Sequence, residues 1–82
     1  MTDDDTARQV RLLIARVAPD VDPGAIGPDD DLLRTLGIDS FDHLRLLIAV
    51  HERFGIDIPE TDHGQLRTVR AITDRIRAGK AG

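Results

Sequence analysis

Ser40 is the residue in this chain whose surroundings are most suited to chemistry. Gly37, Ile38 and Asp39 lead to it out of a loop, and an amphipathic stretch starts directly after it. Serine and aspartate are favoured at such a start because their side-chain oxygens accept hydrogen bonds from the first free amides. Those amides, with the aligned peptide dipoles, also favour an anionic group such as a phosphate. The Ser40 hydroxyl therefore belongs at the exposed end of a helix, as a cap or beside a place that favours a negative group.

Other polar candidates carry less. Ser40, Asp39 and His43 are too local to form a catalytic triad, and nothing supplies a substrate cleft. His43 and His51 lie two helical turns apart, not the single turn that paired ligands use, and His63 is in another segment. Solvated histidines are expected, and no metal. Asp29-Asp30-Asp31 lacks the ligand spacing of a calcium loop and reads as a solvated cap. The chain has no cysteine, which removes disulfides, thiolate ligands and a cysteine nucleophile together. No catalytic residue is expected, and the chain does not read as an enzyme.

The element that positions Ser40 runs to Phe54 and ends at Gly55, a favoured C-terminal residue. At about 100° per residue it has two apolar stripes. Leu46, Leu47, Val50 and Phe54 share one; Phe41, Leu44 and Ile48 share the other, beside Ser40. One stripe suffices to dock a helix on its own core. A domain this small cannot easily bury both, so the second is expected at the surface. Asp42, Arg45, Ala49, Glu52 and Arg53 form the remainder.

The rest of the chain must supply the core. Its 82 residues suit one small domain over 1–82, ordered from about 5 to about 78. Phe41 and Phe54 are the only aromatic residues, so Leu, Ile, Val and Ala must fill the interior. A first helix is expected from Asp5 to Ala18, with Thr6 and Gln9 at capping-box spacing, although Asp3 or Asp5 can also serve as the cap. Val10, Leu13, Ile14 and Val17 form its buried face, Arg8, Arg11 and Arg16 its solvent side, and Pro19 its stop. From Pro19 to Asp39 the chain is a long loop rich in Pro, Gly and Asp. Val21 and Ile26 are expected to tuck under the helices. Asp30 or Asp31 is expected to cap one turn holding Leu32, Leu33 and Leu36, and Gly37 to permit a tight approach to Ser40. After Gly55, Ile56-Asp57-Ile58-Pro59 reads as an extended connector anchored by both isoleucines, and Glu60 to Gln65 as one irregular turn. Thr68 can cap a last helix buried through Val69, Ile72 and Ile76, with a tail from Gly79. The fold class is all-α: a small four-helix bundle of three longer helices and one short one, with a long first loop.

Charge narrows the partners. The formal charge of −4 argues against nucleic-acid binding, which needs a basic patch. No run is long or apolar enough to span a membrane, and no signal peptide opens the chain. A cytoplasmic monomer is expected.

Leu36-Gly37-Ile38-Asp39-Ser40-Phe41-Asp42 resembles the modification motif of the acyl carrier proteins. Phe54-Gly55-Ile56-Asp57-Ile58-Pro59 is similar to that family's exit from its second helix, and Leu66-Arg67-Thr68-Val69 to its passage into the fourth. The resemblance covers about Thr6 to Ile76. It implies 4′-phosphopantetheine, taken from coenzyme A and esterified to Ser40, with Asp39 as part of the motif read by a phosphopantetheinyl transferase. It further implies that acyl groups ride as thioesters to loading ligases or transferases and to synthase enzymes. Phe41, Asp42, Leu44, Arg45, Ile48 and Glu52 would form the docking face, and Leu47, Leu66 and Ile72 an interior that admits an acyl chain. The chain departs from the fatty-acid carriers in the charges of this helix, where Arg45 and Arg53 are basic and His43 and His51 can become so. Charge complementarity sets partner choice, so a specialised fatty-acid, lipid or polyketide pathway is expected. The alternatives are a peptidyl or aminoacyl carrier of nonribosomal synthesis, or an unmodified helical interaction module.

Overall fold

A computed structural model describes the backbone of residues 3–81 and the side chains of residues 5–79. Helix α1 spans Asp3–Val17, α2 spans Ser40–Phe54 and α3 spans Val69–Ala81. A single 3-10 turn, Pro23–Ala25, lies in the long first loop, and a six-residue 3-10 helix, Glu60–Gln65, joins α2 to α3. The described chain is thus all-helical, with three longer helices and one short one. The short helix forms where one irregular turn was expected, and Arg75 of α3 holds it by an ion pair to Asp62 at 2.8 Å.

Helix α1 buries Val10, Leu13 and Ile14 against α2 and α3, following the spacing of its apolar residues. It begins at Asp3, so Thr6 is a buried residue inside the helix and not its N-cap. Any part that Met1 and Thr2 play lies outside the described residues. Arg11 is not simply solvated: its Nε donates to the Ile26 carbonyl at 3.0 Å and ties the loop to α1. Pro19 follows the helix end as its geometry requires.

The long loop is fixed by its aspartates. The Asp22 carboxylate accepts from the Gly24 amide at 2.9 Å, and the Asp30 carboxylate from the Gly27 amide at 2.8 Å. Asp31 Oδ1 caps the turn at residues 32–35, accepting from the Leu33 and Arg34 amides at 3.0 and 2.9 Å. Ile26, Leu32 and Ile38 are buried, while Val21, Leu33 and Leu36 are half-buried. The loop is then stapled to the start of α3. The Leu32 amide donates to the Arg67 carbonyl at 2.8 Å, and the Arg70 amide to the Pro28 carbonyl at 2.9 Å. Arg67 grips Asp31 with two hydrogen bonds of 3.0 and 3.1 Å, and Arg70 grips Asp29 at 2.7 and 3.1 Å. Asp31 is therefore the cap that was expected, but the acidic run is not merely solvated: Asp29 pairs with Arg70 of α3, Asp31 with Arg67 just before α3, and Asp30 with the Gly27 amide.

Beyond α2, Ile56 is buried and Ile58 half-buried, so the connector is anchored mainly by the first of them. Thr68 Oγ1 accepts from the Ala71 amide at 3.0 Å and caps α3. Val69, Ile72 and Ile76 face the core. Where a tail was expected from Gly79, α3 continues to Ala81. Gly79 lies so close to Ile56 that a Cβ there would meet Ile56 Cγ2 at 2.6 Å. The glycine allows the helix and the connector to touch. Buried side chains from all three α-helices, the loop and the connector form one contiguous cluster.

Candidate functional site

Two backbone devices set the position of α2. Before it, Gly37 takes φ +71°, a left-handed conformation that a Cβ would strain. A Cβ there would meet nothing within 4 Å, so the glycine serves the bend and not a close approach. After it, Gly55 takes φ +66° and its amide donates to the His51 carbonyl at 2.9 Å, ending the helix in a left-handed cap.

At the mouth of the helix, Asp39 and not Ser40 is the N-cap. Asp39 is extended, with φ −78° and ψ 167°, and its Oδ1 accepts from the Asp42 amide at 2.7 Å. Ser40 is the first helical residue and is exposed. Among the described residues no side-chain hydrogen bond occupies its Oγ. The cap that a serine would have supplied is supplied by its neighbour, and the amides of Ser40 and Phe41 remain at the open end of the first turn. Ser40 is also the only serine in the chain.

The helix presents its two stripes to two environments. Leu46, Leu47 and Val50 are at most 1% exposed, whereas Phe41 is 67%, Ile48 47% and Leu44 39% exposed. Asp42 and Arg45 form an ion pair at 3.4 Å within the helix, and Glu52 is exposed. An exposed pair of this length adds little stability.

His43 differs from expectation. It is buried, and its Nε2–H donates to the Leu66 carbonyl at 2.7 Å. It ties α2 to the segment before α3 and is unavailable as a surface charge. His51 is exposed and its Nδ1–H donates to the Ile56 carbonyl at 2.6 Å, fixing the connector. Among the described residues no cluster of three His, Asp or Glu is arranged to hold a metal ion. Nor is any described helix long and apolar enough to cross a membrane.

Two grooves flank the ridge of Leu44 and Ile48. The one toward the 3-10 helix has a volume of about 650 Å³ and is floored by Leu47, Ile58 and Pro59. Of the three interior candidates only Leu47 reaches this groove; Leu66 and Ile72 lie in the core. The groove toward α1 has a volume of about 660 Å³ and a floor of Leu13, Val17 and Ala49.

The Ser40 hydroxyl is thus exposed at a helix mouth beside an unburied apolar stripe. The family described as "Phosphopantetheine attachment site" matches residues 8–76, a span that includes Ser40. A Streptomyces coelicolor protein named acyl carrier protein is 38% identical over 64 residues, covering 78% of this chain and 70% of that one. One of the same name from Syntrophobacter fumaroxidans is 38% identical over 61 residues, covering 74% and 75%. The fold matches a solved acyl carrier protein from Enterococcus faecalis with a TM-score of 0.79, at 22% identity, over 96% of this chain and 99% of that one. The chain belongs to the acyl carrier protein family, whose members carry a covalently attached 4′-phosphopantetheine. It is a carrier and not an enzyme.

Proposed function

We propose that Ser40 takes the phosphopantetheine and that the chain delivers acyl thioesters on it to enzymes that dock on the outer face of α2. The observation that carries this reading is the division of roles at the helix mouth. Asp39 closes the first turn, so the Ser40 hydroxyl is exposed and costs the helix nothing when it is esterified. The remaining first-turn amides and the helix dipole favour the phosphodiester charge.

The transfer itself belongs to a separate phosphopantetheinyl transferase. Ser40 Oγ attacks the β-phosphate of coenzyme A; the new Oγ–P bond replaces the P–O bond to the α-phosphate, and adenosine 3′,5′-bisphosphate leaves. The hydroxyl proton passes to a base on the transferase. When bound, the group supplies the thiol that this cysteine-free chain lacks. Phe41, Leu44 and Ile48 offer apolar area to a partner, with Asp42, Arg45 and Glu52 at its border. Leu47, at the floor of the adjoining groove, is the first contact for an acyl chain, with Leu66 and Ile72 behind it. The mixed charge of α2 favours a dedicated synthase or ligase in a specialised fatty-acid, lipid or polyketide pathway.

Incubation with coenzyme A and a broad-specificity transferase tests this. The intact mass rises by one phosphopantetheine, and Ser40→Ala stays unchanged. An unmodified parent protein, or a modified Ser40→Ala, contradicts the reading.

A further inference from the structure

The ridge of Leu44 and Ile48 separates two grooves of opposite charge. On the α1 side the walls carry Arg16, Arg45 and Arg53 against a single acid, Glu52. On the other side they carry Asp57 and Glu60, with His51 and His63. In a chain of net charge −4, three guanidinium groups to one carboxylate make the α1 side a local reversal of sign. Arg53 is steered by the neutral Gln9, donating to its Oε1 at 3.2 and 3.3 Å, so its direction is held and its charge is kept. Arg45 leans on Asp42 at a loose 3.4 Å, and Arg16 is exposed. Beneath these groups lies the apolar floor of Leu13, Val17 and Ala49.

We infer that the groove between α1 and α2 receives an acidic amphipathic segment of a partner protein. Its carboxylates meet Arg16, Arg45 and Arg53, and its apolar side chains meet the floor. Guanidinium forks pair with carboxylates in two-point geometry, which orients the segment as well as attracting it. The opposite sign across the ridge then opposes the reversed orientation, because like charges face each other there. The partner is an enzyme that the carrier visits, and to that extent the inference rests on the carrier reading. Ser40 lines neither wall of the groove, so the two are separable by experiment.

The test uses two synthetic helical peptides with the same leucine spacing, one with Glu and one with Lys at its polar positions. Each is titrated into the isotope-labelled protein and followed by amide chemical shifts. The Glu peptide is expected to shift residues 13–17 and 45–53, and to bind more weakly as salt screens the charges. Arg16→Glu with Arg45→Glu is expected to weaken it about tenfold or more and to strengthen the Lys peptide. The dispersion of the amide spectrum shows whether that variant is folded, and Arg16→Gln with Arg53→Gln provides a milder version with the same direction of effect. Ser40→Ala is expected to bind the Glu peptide as the parent does, so a failure at Ser40 and a failure at the groove are told apart. The inference is overturned if the Glu peptide does not bind, if both peptides bind alike, or if the shifts fall at residues 57–63.

Discussion

Asp39 and Ser40 are adjacent at the mouth of α2, and the Asp42 amide donates to the carboxylate at 2.7 Å, not to the hydroxyl. Loss of an N-cap costs about 1 kcal/mol, so Asp39→Ala is expected to lower stability by about that amount in urea unfolding. Asp39→Asn keeps an oxygen acceptor and is expected to keep nearly all of the stability. If the transferase reads the carboxylate as well as the cap, Asp39→Asn still loses transfer rate, and a fast Asn variant would limit Asp39 to its structural role. Serine and aspartate accept the same bond at a helix start, so spacing alone leaves both as caps. The choice depends on the extended backbone of Asp39, which places its carboxylate over the first turn. His43 shows the same limit. It falls within the stripe of Leu46, Leu47 and Val50 on the wheel, yet a histidine there reads as solvated because the partner that satisfies it, the Leu66 carbonyl, is 23 residues away in sequence.

At the scale of elements, α2 was legible almost completely. Its apolar period is local, and so are the glycine that ends it and the acid that opens it. The consequence is a difference between two leucines two residues apart. Leu46 is fully buried, and truncating such a side chain costs about 2–5 kcal/mol. A small domain has a total stability of about 5–15 kcal/mol, so Leu46→Ala is expected to remove a large share of it and to lower the urea midpoint markedly. Leu44, which is 39% exposed, loses little on truncation: Leu44→Ala is expected to shift the urea midpoint slightly while slowing transfer from a loaded partner. Equal loss of stability from both would mean that the outer stripe belongs to the core. The length of α3 was not legible, because Gly79 reads as a helix breaker in isolation. Its contact with Ile56 supplies the reason to continue, and that contact spans 23 residues of sequence.

At the scale of the molecule, the long loop is joined by charge to α3 and to the segment just before it. The Arg67 fork and the Arg34 and Leu33 amides pull the Asp31 carboxyl down from 3.8 to about 2, and Arg70 lowers Asp29. A carboxyl lowered by folding stabilises the folded state above its unfolded value, and that stabilisation is lost as pH falls from about 4 through about 2. Asp31→Asn is expected to be less stable than the parent at neutral pH, with the gap narrowing as pH drops through that window. A gap independent of pH would mean that the ion pair does not report on folding. Pairs separated by 36 and 41 residues leave no periodic signal, so the acidic run read as solvated until the fold brought α3 beside it. What made the proposed attachment site readable is that Gly37, Asp39, Ser40 and the outer stripe of α2 lie within one loop end and one helix, whereas Leu66 and Ile72 come from another part of the chain.

The most direct test is to place the modification on a residue. After transfer from coenzyme A, trypsin releases the peptide from Thr35 to Arg45, whose only hydroxyl-bearing side chains are Thr35 and Ser40. Fragmentation in the mass spectrometer is expected to put the phosphopantetheine on Ser40. A modified Thr35, or a modification on any peptide outside this one, would contradict the account.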